Sequence, residues 1–424
     1  MTYAETLSHI YALSRFGIKP GLARISRLLA ALGNPQDAFA TVHVVGTNGK
    51  GSTASFLSSI LSAGGYRTGL FTSPHLISFT ERIRIGGAEI EEGSVVHLAE
   101  RVMAAAPEES TFFEIITAMA ALHFAEEGVD IAVFEAGMGG RLDATNALNG
   151  LLSIITPVSL DHTDYLGSRI GEIAVEKSGI CKAGTPVVSA RQEPEAARVI
   201  ARHARELGSS LYLCGENFDA RWQQGRLNYR GLSLSLDDLS AGLTGLYQSG
   251  NAALALAAAE LLSGAGFPVA PQALAAGIER ASWPGRMELF PGEPRVILDG
   301  AHNPAGACAL AEALSQIARD RLFMVAGVMG DKELSGILSP LLPLADAVFA
   351  VAPAIERALP AVQLARFCRE AGARTEEAGS VEQGIALARA AAGSQDLVVV
   401  CGSLFTVGEA RSILLSRSFD PFRG

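Results

Sequence analysis

Cysteine, aromatic side chains and basic charge are all scarce in this chain. Its 5 cysteines, Cys181, Cys214, Cys308, Cys368 and Cys401, are spread through 424 residues and form no C-x-x-C pair. That spacing argues against a disulfide framework and a thiolate metal site, and it points to a reducing compartment. Aromatics make up 6% of the residues while alanine and glycine abound, which favours helices packed closely on sheets over an all-β sandwich. Lysine and arginine number 34 against 44 acidic residues, a net charge of −10, and no basic run occurs. Phosphate-backbone binding depends on clustered Lys and Arg, so nucleic acid is not the expected partner. An anionic small substrate stays open, because metal ions and a few local cations can offset its charge. No apolar run approaches the roughly 20 residues that span a bilayer. The opening Met1-Thr2-Tyr3-Ala4-Glu5-Thr6 lacks the basic-then-apolar pattern of a secretory signal. The expectation is a cytoplasmic monomer with no membrane partner.

What is present is a large apolar fraction, 49% against 18% charged. At this length one core is too small an account, and two domains are expected. The most informative stretch is Val42-His43-Val44-Val45-Gly46-Thr47-Asn48-Gly49-Lys50-Gly51-Ser52-Thr53. A buried strand runs into a glycine-rich turn carrying a lysine, and a helix starts at about Ser52. Such a turn offers backbone N–H groups and a helix N-terminus to phosphates, with the lysine as counter-charge. The spacing departs from the common P-loop, in which a glycine stands six residues before the lysine and Ser/Thr follows it directly. Here Val44 takes the first position and Gly51 separates Lys50 from Ser52.

Helices are expected over 5–14 and 22–32, joined by Phe16-Gly17-Ile18-Lys19-Pro20-Gly21 as a connector or substrate lid. A helix over 52–64, a strand near 67–71 and a hairpin over 81–90 turning at Gly86-Gly87 follow. Further on come a helix over 112–127, a buried strand 129–135 ending on Glu135, and a strand 152–156 leading to Asp161-His162. Strands alternating with helices imply a parallel sheet, with ligands at the carboxyl ends of the strands. Lys50, Glu135 and His162 each lie just beyond such an end. Short strands are expected over 205–245 and an alanine-rich helix over 251–262. After Trp283-Pro284-Gly285-Arg286 a second alternation begins: strand 295–299, helix 306–318, strand 321–328, helix 333–342, strand 346–351, helices 361–371 and 381–392, strand 396–401 and a final helix. The boundary is placed at 280–290, giving halves 1–284 and 285–424, and residues 417–424 are expected to fray.

Each candidate group has a plain alternative. The loop from Gly46 to Thr53 binds a triphosphate, with the Ser52 hydroxyl open to Mg²⁺, or it is an ordinary strand–turn–helix. Glu135, beside Gly137, Gly139 and Gly140, suits a hard cation, or it caps a turn. His162 is a ligand, or one of the many exposed loop histidines. Lys177 lies between apolar neighbours that would depress its pKa, or it is a solvated helix lysine, the better reading from residues alone. Asp299-Gly300-Ala301-His302-Asn303-Pro304 is a ligand-facing turn, or simply a helix start at Asn303-Pro304. Arg286 stands at the junction, placed to reach phosphate.

Taken together these segments resemble the folylpolyglutamate synthase/dihydrofolate synthase family, relatives of the Mur ligases. The resemblance rests on Val45-Gly46-Thr47-Asn48-Gly49-Lys50-Gly51-Ser52, Thr72-Ser73-Pro74-His75-Leu76, Phe134-Glu135 with Gly139-Gly140-Arg141-Leu142-Asp143-Ala144-Thr145-Asn146, and Leu160-Asp161-His162-Thr163. It continues through Glu176-Lys177-Ser178-Gly179-Ile180, Pro284-Gly285-Arg286, the Asp299 to Pro304 run, Asp331-Lys332 and Cys401-Gly402-Ser403. It implies a Mur ligase-like α/β fold: a P-loop-type, mainly parallel ATPase domain followed by a smaller doubly wound, Rossmann-like one. It implies ATP held by Thr47, Asn48, Gly49, Lys50, Gly51 and Ser52, and from across the cleft by Asn251, Arg286 and Asp299. Two Mg²⁺ ions would be bound by Ser52, Ser73, Glu135, His162 and a carbamylated Lys177. The pterin-bearing substrate would lie against Lys19 and Pro20, Thr111, Phe112, Phe113 and Glu114, and Leu142, Asp143 and Ala144. Lys50, Lys177 and His302 would be the catalytic side chains, the last moving a proton.

The implied reaction is ATP-dependent addition of L-glutamate to dihydropteroate, to folyl-glutamates, or to both, through an acyl phosphate. Two departures stand out. Tyr247-Gln248 replaces the family's frequent His-Gln, and Lys19-Pro20-Gly21-Leu22 differs from the usual pterin loop. A monofunctional folylpolyglutamate synthase is the near alternative. A cell-wall Mur ligase would need a UDP-binding domain ahead of the loop, where only 45 residues stand. A P-loop GTPase switch would need an Asn-Lys-x-Asp motif, which is absent.

Overall fold

The computed structural model describes residues 1–17 and 19–420. Eight strands form the first sheet: β1 (Ala40–Val45), β2 (Thr68–Phe71), β3 (Ile83–Ile85), β4 (Ala88–Glu89), β5 (Ile131–Glu135), β6 (Gly150–Ile155), β7 (Val187–Ser189) and β8 (Leu211–Leu213). Their order is β4-β3-β2-β5-β1-β6-β7-β8. From β2 to β8 the pairings are parallel, and only β3 runs against the other strands, antiparallel to both β2 and β4. The hairpin turns at Gly86 and Gly87, both at positive φ (59° and 88°), as a two-residue turn between twisted strands requires.

β1 shows how sequence alternation builds this sheet. Val42 and Val44 point into one core with helix Lys50–Ala63 and the alanine-rich helix Gln248–Gly264, where small side chains let the helices approach closely. The opposite face of the sheet packs on helices Tyr3–Ala12, Ala23–Ala31, Glu92–Ala105 and Phe112–Glu126. Three short antiparallel strands, β9 (Asp219–Gln223), β10 (Arg226–Arg230) and β11 (Ser235–Leu239), make a separate small sheet.

The chain leaves the first unit after helix Pro271–Arg280. It enters a six-stranded sheet made of β12 (Glu288–Phe290), β13 (Arg295–Leu298), β14 (Leu322–Ala326), β15 (Ala347–Ala352), β16 (Thr375–Ser380) and β17 (Leu397–Cys401). The order is β12-β13-β17-β14-β15-β16, with only β12 antiparallel and an apolar core on each face.

Several expectations shift. The first loop helix starts at Lys50, two residues early, because Gly49 (φ 86°) makes the turn that a helix at Ser52 would have needed later. The helices 361–371 and 381–392 are separated by β16, an edge strand of exposed Thr-Glu-Glu character with a register shift against β15. Residues 207–239 divide between β8 at the edge of the first sheet and the small sheet, while 194–206 are helix. The tail expected to fray is fastened as far as Asp420, whose N–H donates to Ile77 O (2.9 Å) and whose carboxylate accepts from the Tyr11 hydroxyl (3.3 Å). Residues 421–424, and Ile18 in the proposed lid, lie outside the described residues.

Candidate active site

β1 is the strand at which the order of the first sheet reverses, with β5 on one side and β6 on the other. Ligands bind outside the carboxyl end of such a strand. The loops after β1, β5 and β6 meet the second sheet's 299–306 turn around a cleft of ≈ 780 Å³. Lys50, Ser52, Ser73, Glu135, His162, Lys177, Asn251, Arg286, Asp299 and His302 all line it. The resemblance brought these residues together on paper, and the fold brings them together in space.

The phosphate loop is held from behind. Thr47 and Asn48 donate their N–H groups to Pro157 O (2.9 and 3.4 Å), and Thr47 Oγ1 donates to Ser159 O (3.0 Å). Helix Lys50–Ala63 starts without a side-chain cap, which leaves its first-turn N–H groups for a ligand's oxygens. Lys50 bends back to donate to Thr47 O (3.1 Å). Gly51, the residue that broke the usual spacing, lies under the Trp283 indole, which a Cβ would meet at 2.6 Å. Asn251 Oδ1 sits 2.4 Å from where a Cβ on Gly49 would be, and Gln248 donates to Ser52 Oγ (3.3 Å). The far helix therefore braces the loop directly.

Glu135 is buried at the end of β5 and accepts from Ser73 N–H (3.1 Å). Burial pushes its carboxyl up, and Lys50, the Ser73 N–H, Arg286 and Arg82 pull it back. His162 stands exposed at the rim with φ 50°. Among the described residues no three His, Cys, Asp or Glu side chains converge into a metal cluster. The expected set joins the oxygens of Ser52, Ser73, Glu135 and a carbamylated Lys177 to the His162 imidazole, so its donors are mostly oxygen, as a hard cation such as Mg²⁺ prefers.

Lys177 is not the solvated helix lysine. It is 5% exposed and donates to Gly46 O at 2.7 Å, under the phosphate loop. Burial, and then the charge of Lys50, push its ammonium down to about 7.

On the second sheet, Asp299 is buried and fully engaged. It accepts from the Tyr247 hydroxyl (2.8 Å), Met287 N–H (2.9 Å) and Ala301 N–H (2.9 Å). Tyr247, which replaces the family's histidine, thus orients this carboxylate. Arg286 donates to Gly285 O (3.0 Å), and its Nη1 occupies the space above Gly300. His302 Nδ1 lies 2.8 Å from Gly300 O, an atom that can only accept, so Nδ1 carries the proton. Burial pushes the ring down to about 4. Asn303 caps helix Pro304–Ser315, so the plain reading of Asn303-Pro304 as a helix start holds alongside the ligand-facing one.

The expected pterin surface lies apart from these groups. Lys19 pairs with Glu109 (2.9 Å), and Pro20 is exposed. Thr111 and Glu114 form a capping box for helix Phe112–Glu126. Phe112 is buried, and Phe113 packs on Phe71 and fills the space above Gly137, where a Cβ would meet its ring at 2.6 Å. Leu142 is exposed and Ala144 buried. Both carboxylate oxygens of Asp143 are used within its own loop, by Thr145 and Met138. Arg24, which carried no signal in the sequence, joins two of these segments by donating to Lys19 O (2.5 Å) and Glu114 (3.2 Å). The contacts of Trp283 with Gly51 and of Arg24 with Glu114 do not show in local pattern, since each joins residues distant in sequence.

Known proteins are similar to this chain in sequence and in fold. The Mur ligase middle domain matches residues 44–259, and the Mur ligase glutamate ligase domain matches residues 285–404. A dihydrofolate synthase/folylpolyglutamate synthase of Bacillus subtilis is 36% identical over 97% of this chain and 99% of its own length. A probable bifunctional folylpolyglutamate synthase/dihydropteroate synthase of Halobacterium salinarum is 40% identical over 97% of this chain, which spans about half (52%) of that protein. Among solved structures, the bifunctional folylpolyglutamate synthase/dihydrofolate synthase of Yersinia pestis, complexed with AMPPNP and Mn ion, superposes with a TM-score of 0.89 at 33% identity, covering 98% of both chains.

Proposed function

Because this chain belongs to the folylpolyglutamate synthase/dihydrofolate synthase family, we propose that it is an ATP-dependent amide ligase. It adds L-glutamate to dihydropteroate and to folyl-glutamates and releases ADP and phosphate. The observation that carries this reading is the single cleft into which phosphate loop, oxygen donors and the 299–303 turn all open. We take residues 1–284 as the ATP-binding half and 285–424 as the closing half, in a cytoplasmic monomer. Among the described residues no helix is long and apolar enough to cross a membrane.

A carboxylate is a poor acyl donor, since its leaving group would be oxide. Moving the γ-phosphoryl group onto it makes phosphate the leaving group instead. The first-turn N–H groups of Lys50, Gly51 and Ser52 receive the phosphates, while Lys50 and Arg286 spread the charge that develops during transfer. Ser52, Ser73, Glu135, His162 and a carbamylated Lys177 would hold two Mg²⁺ ions, which would neutralise charge on the phosphate oxygens. The amine of glutamate then attacks the acyl carbon, and phosphate departs from the tetrahedral intermediate. His302, neutral near pH 7 with its Nε2 free to accept, takes a proton from the attacking nitrogen. Water must stay out, or the acyl phosphate hydrolyses.

Lys177 is assigned a carbamate. Its neutral amine attacks the carbon of CO₂, one N–H proton leaves to solvent, and the remaining N–H can keep its bond to Gly46 O. The pterin ring is assigned to the surface of Lys19, Pro20, Thr111 to Glu114 and Leu142 to Ala144, with Arg24 holding two of its segments together.

The test is an acceptor panel with mass analysis of products. Dihydropteroate and tetrahydrofolate should each gain one glutamyl residue per turnover. If tetrahydrofolate is extended while dihydropteroate stays inert, the monofunctional alternative replaces the bifunctional one.

A further inference from the structure

Asp161 follows β6 in the first half of the chain, yet side chains of the second half hold its carboxylate. Lys332 Nζ lies 3.0 Å from Oδ1 and Asn303 Nδ2 lies 3.2 Å from Oδ2. The pair is sheltered, with the two side chains 10% and 21% exposed, unlike the many solvated pairs elsewhere. Asn303 extends the contact to the phosphate loop. Its amide and that of Asn48 exchange hydrogen bonds in both directions (3.1 and 3.0 Å), while its Oδ1 also accepts from Gly306 N–H to cap the helix behind it.

One side chain, Asn303, thus touches the phosphate loop and a carboxylate of the first half, while capping helix Pro304–Ser315 of its own half. Exposed ion pairs contribute little to stability. A partly buried pair joined to two amides instead fixes geometry, because breaking any member leaves polar groups unsatisfied.

We propose that Asn303, with the Asp161–Lys332 ion pair, is a latch that positions the second half over the phosphate loop and keeps water from the acyl phosphate. This rests on the ligase reading above. When the latch fails, water attacks the acyl carbon and the C–O bond to phosphate breaks. Phosphate leaves with one of the water protons, the other passes to solvent, and the original carboxylate returns. ADP then forms without amide.

The experiment measures ADP and amide product in the same reaction for the full chain and its variants Asn303→Asp and Lys332→Met, alongside their Tm. Asn303→Asp retains an oxygen for the helix cap but loses both amide donations and faces Asp161 with like charge. The wild-type ratio of ADP to amide should be near one. Both variants should raise it at least about threefold by exposing the intermediate to water, and Lys332→Arg should bring it back towards one. Folded variants that keep the wild-type ratio, or lose ADP and amide in parallel, would overturn the latch. A wild type that forms no amide at all would instead overturn the ligase reading.

Discussion

Lys177 is the residue whose environment departs furthest from its surroundings in sequence. Glu176 and Ser178 flank it, yet the turn of helix Ile170–Ser178 carries its ammonium under the phosphate loop. Below about pH 7 the group is protonated and inert towards CO₂, and above it the neutral amine predominates. Stimulation by added bicarbonate should therefore appear as pH rises through about 7 and be absent in Lys177→Ala. That variant should lose about 10–100-fold in ligation rate, the usual scale for a metal-supporting group, with partial recovery in short carboxylates such as acetate or formate. Unchanged activity in Lys177→Ala would remove the carbamate from the account. Glu135 was legible as an acid closing the buried run Ile131–Phe134, which left both a cation ligand and a turn cap open. Burial of Lys177 was legible only as the weaker of two readings, since it depends on where Gly46 lies.

At the scale of elements, caps and edges decided what the sequence revealed. Helix Phe112–Glu126 is announced by Thr111 and Glu114, three residues apart, and both reciprocal bonds of the box are present. Resemblance places both residues at the substrate, and their side chains also build the helix start and, for Glu114, accept from Arg24. Thr111→Ala should lower stability by about 0.5–2 kcal/mol, the loss expected for an N-cap, as read by thermal or urea unfolding. Unchanged unfolding would contradict the cap, and a raised KM for the pteroate acceptor in the same variant would support Thr111 at the substrate. Strand β16 escaped the reading because Thr375-Glu376-Glu377-Ala378 lacks an apolar run. As an edge strand it needs only one inward side chain, Ala378, and the rest face solvent. The buried strands of both sheets, by contrast, were legible as continuous Val and Ile runs, the pattern of parallel sheets covered on both faces.

For the whole molecule, the order of motifs along the chain gave the two α/β halves, and the reversal of strand order at β1 explains why they share a site. Contacts across the cleft were not legible. Trp283 over Gly51, Tyr247 on Asp299 and Asn303 on Asn48 each join residues far apart in sequence. They also explain the displaced phosphate loop. Gly51 separates Lys50 from Ser52 because an indole from the segment joining the halves occupies the space of a side chain. A loop built in this way serves an enzyme that assembles its site from two halves around ATP. The most direct test is ADP release by the intact protein with ATP and Mg²⁺, measured with neither acceptor, with glutamate alone, with the pteroate or folate acceptor alone, and with both. The account predicts sustained ADP formation only when both are present, with one amide bond per ADP. Equal ADP formation in all four mixtures would contradict it.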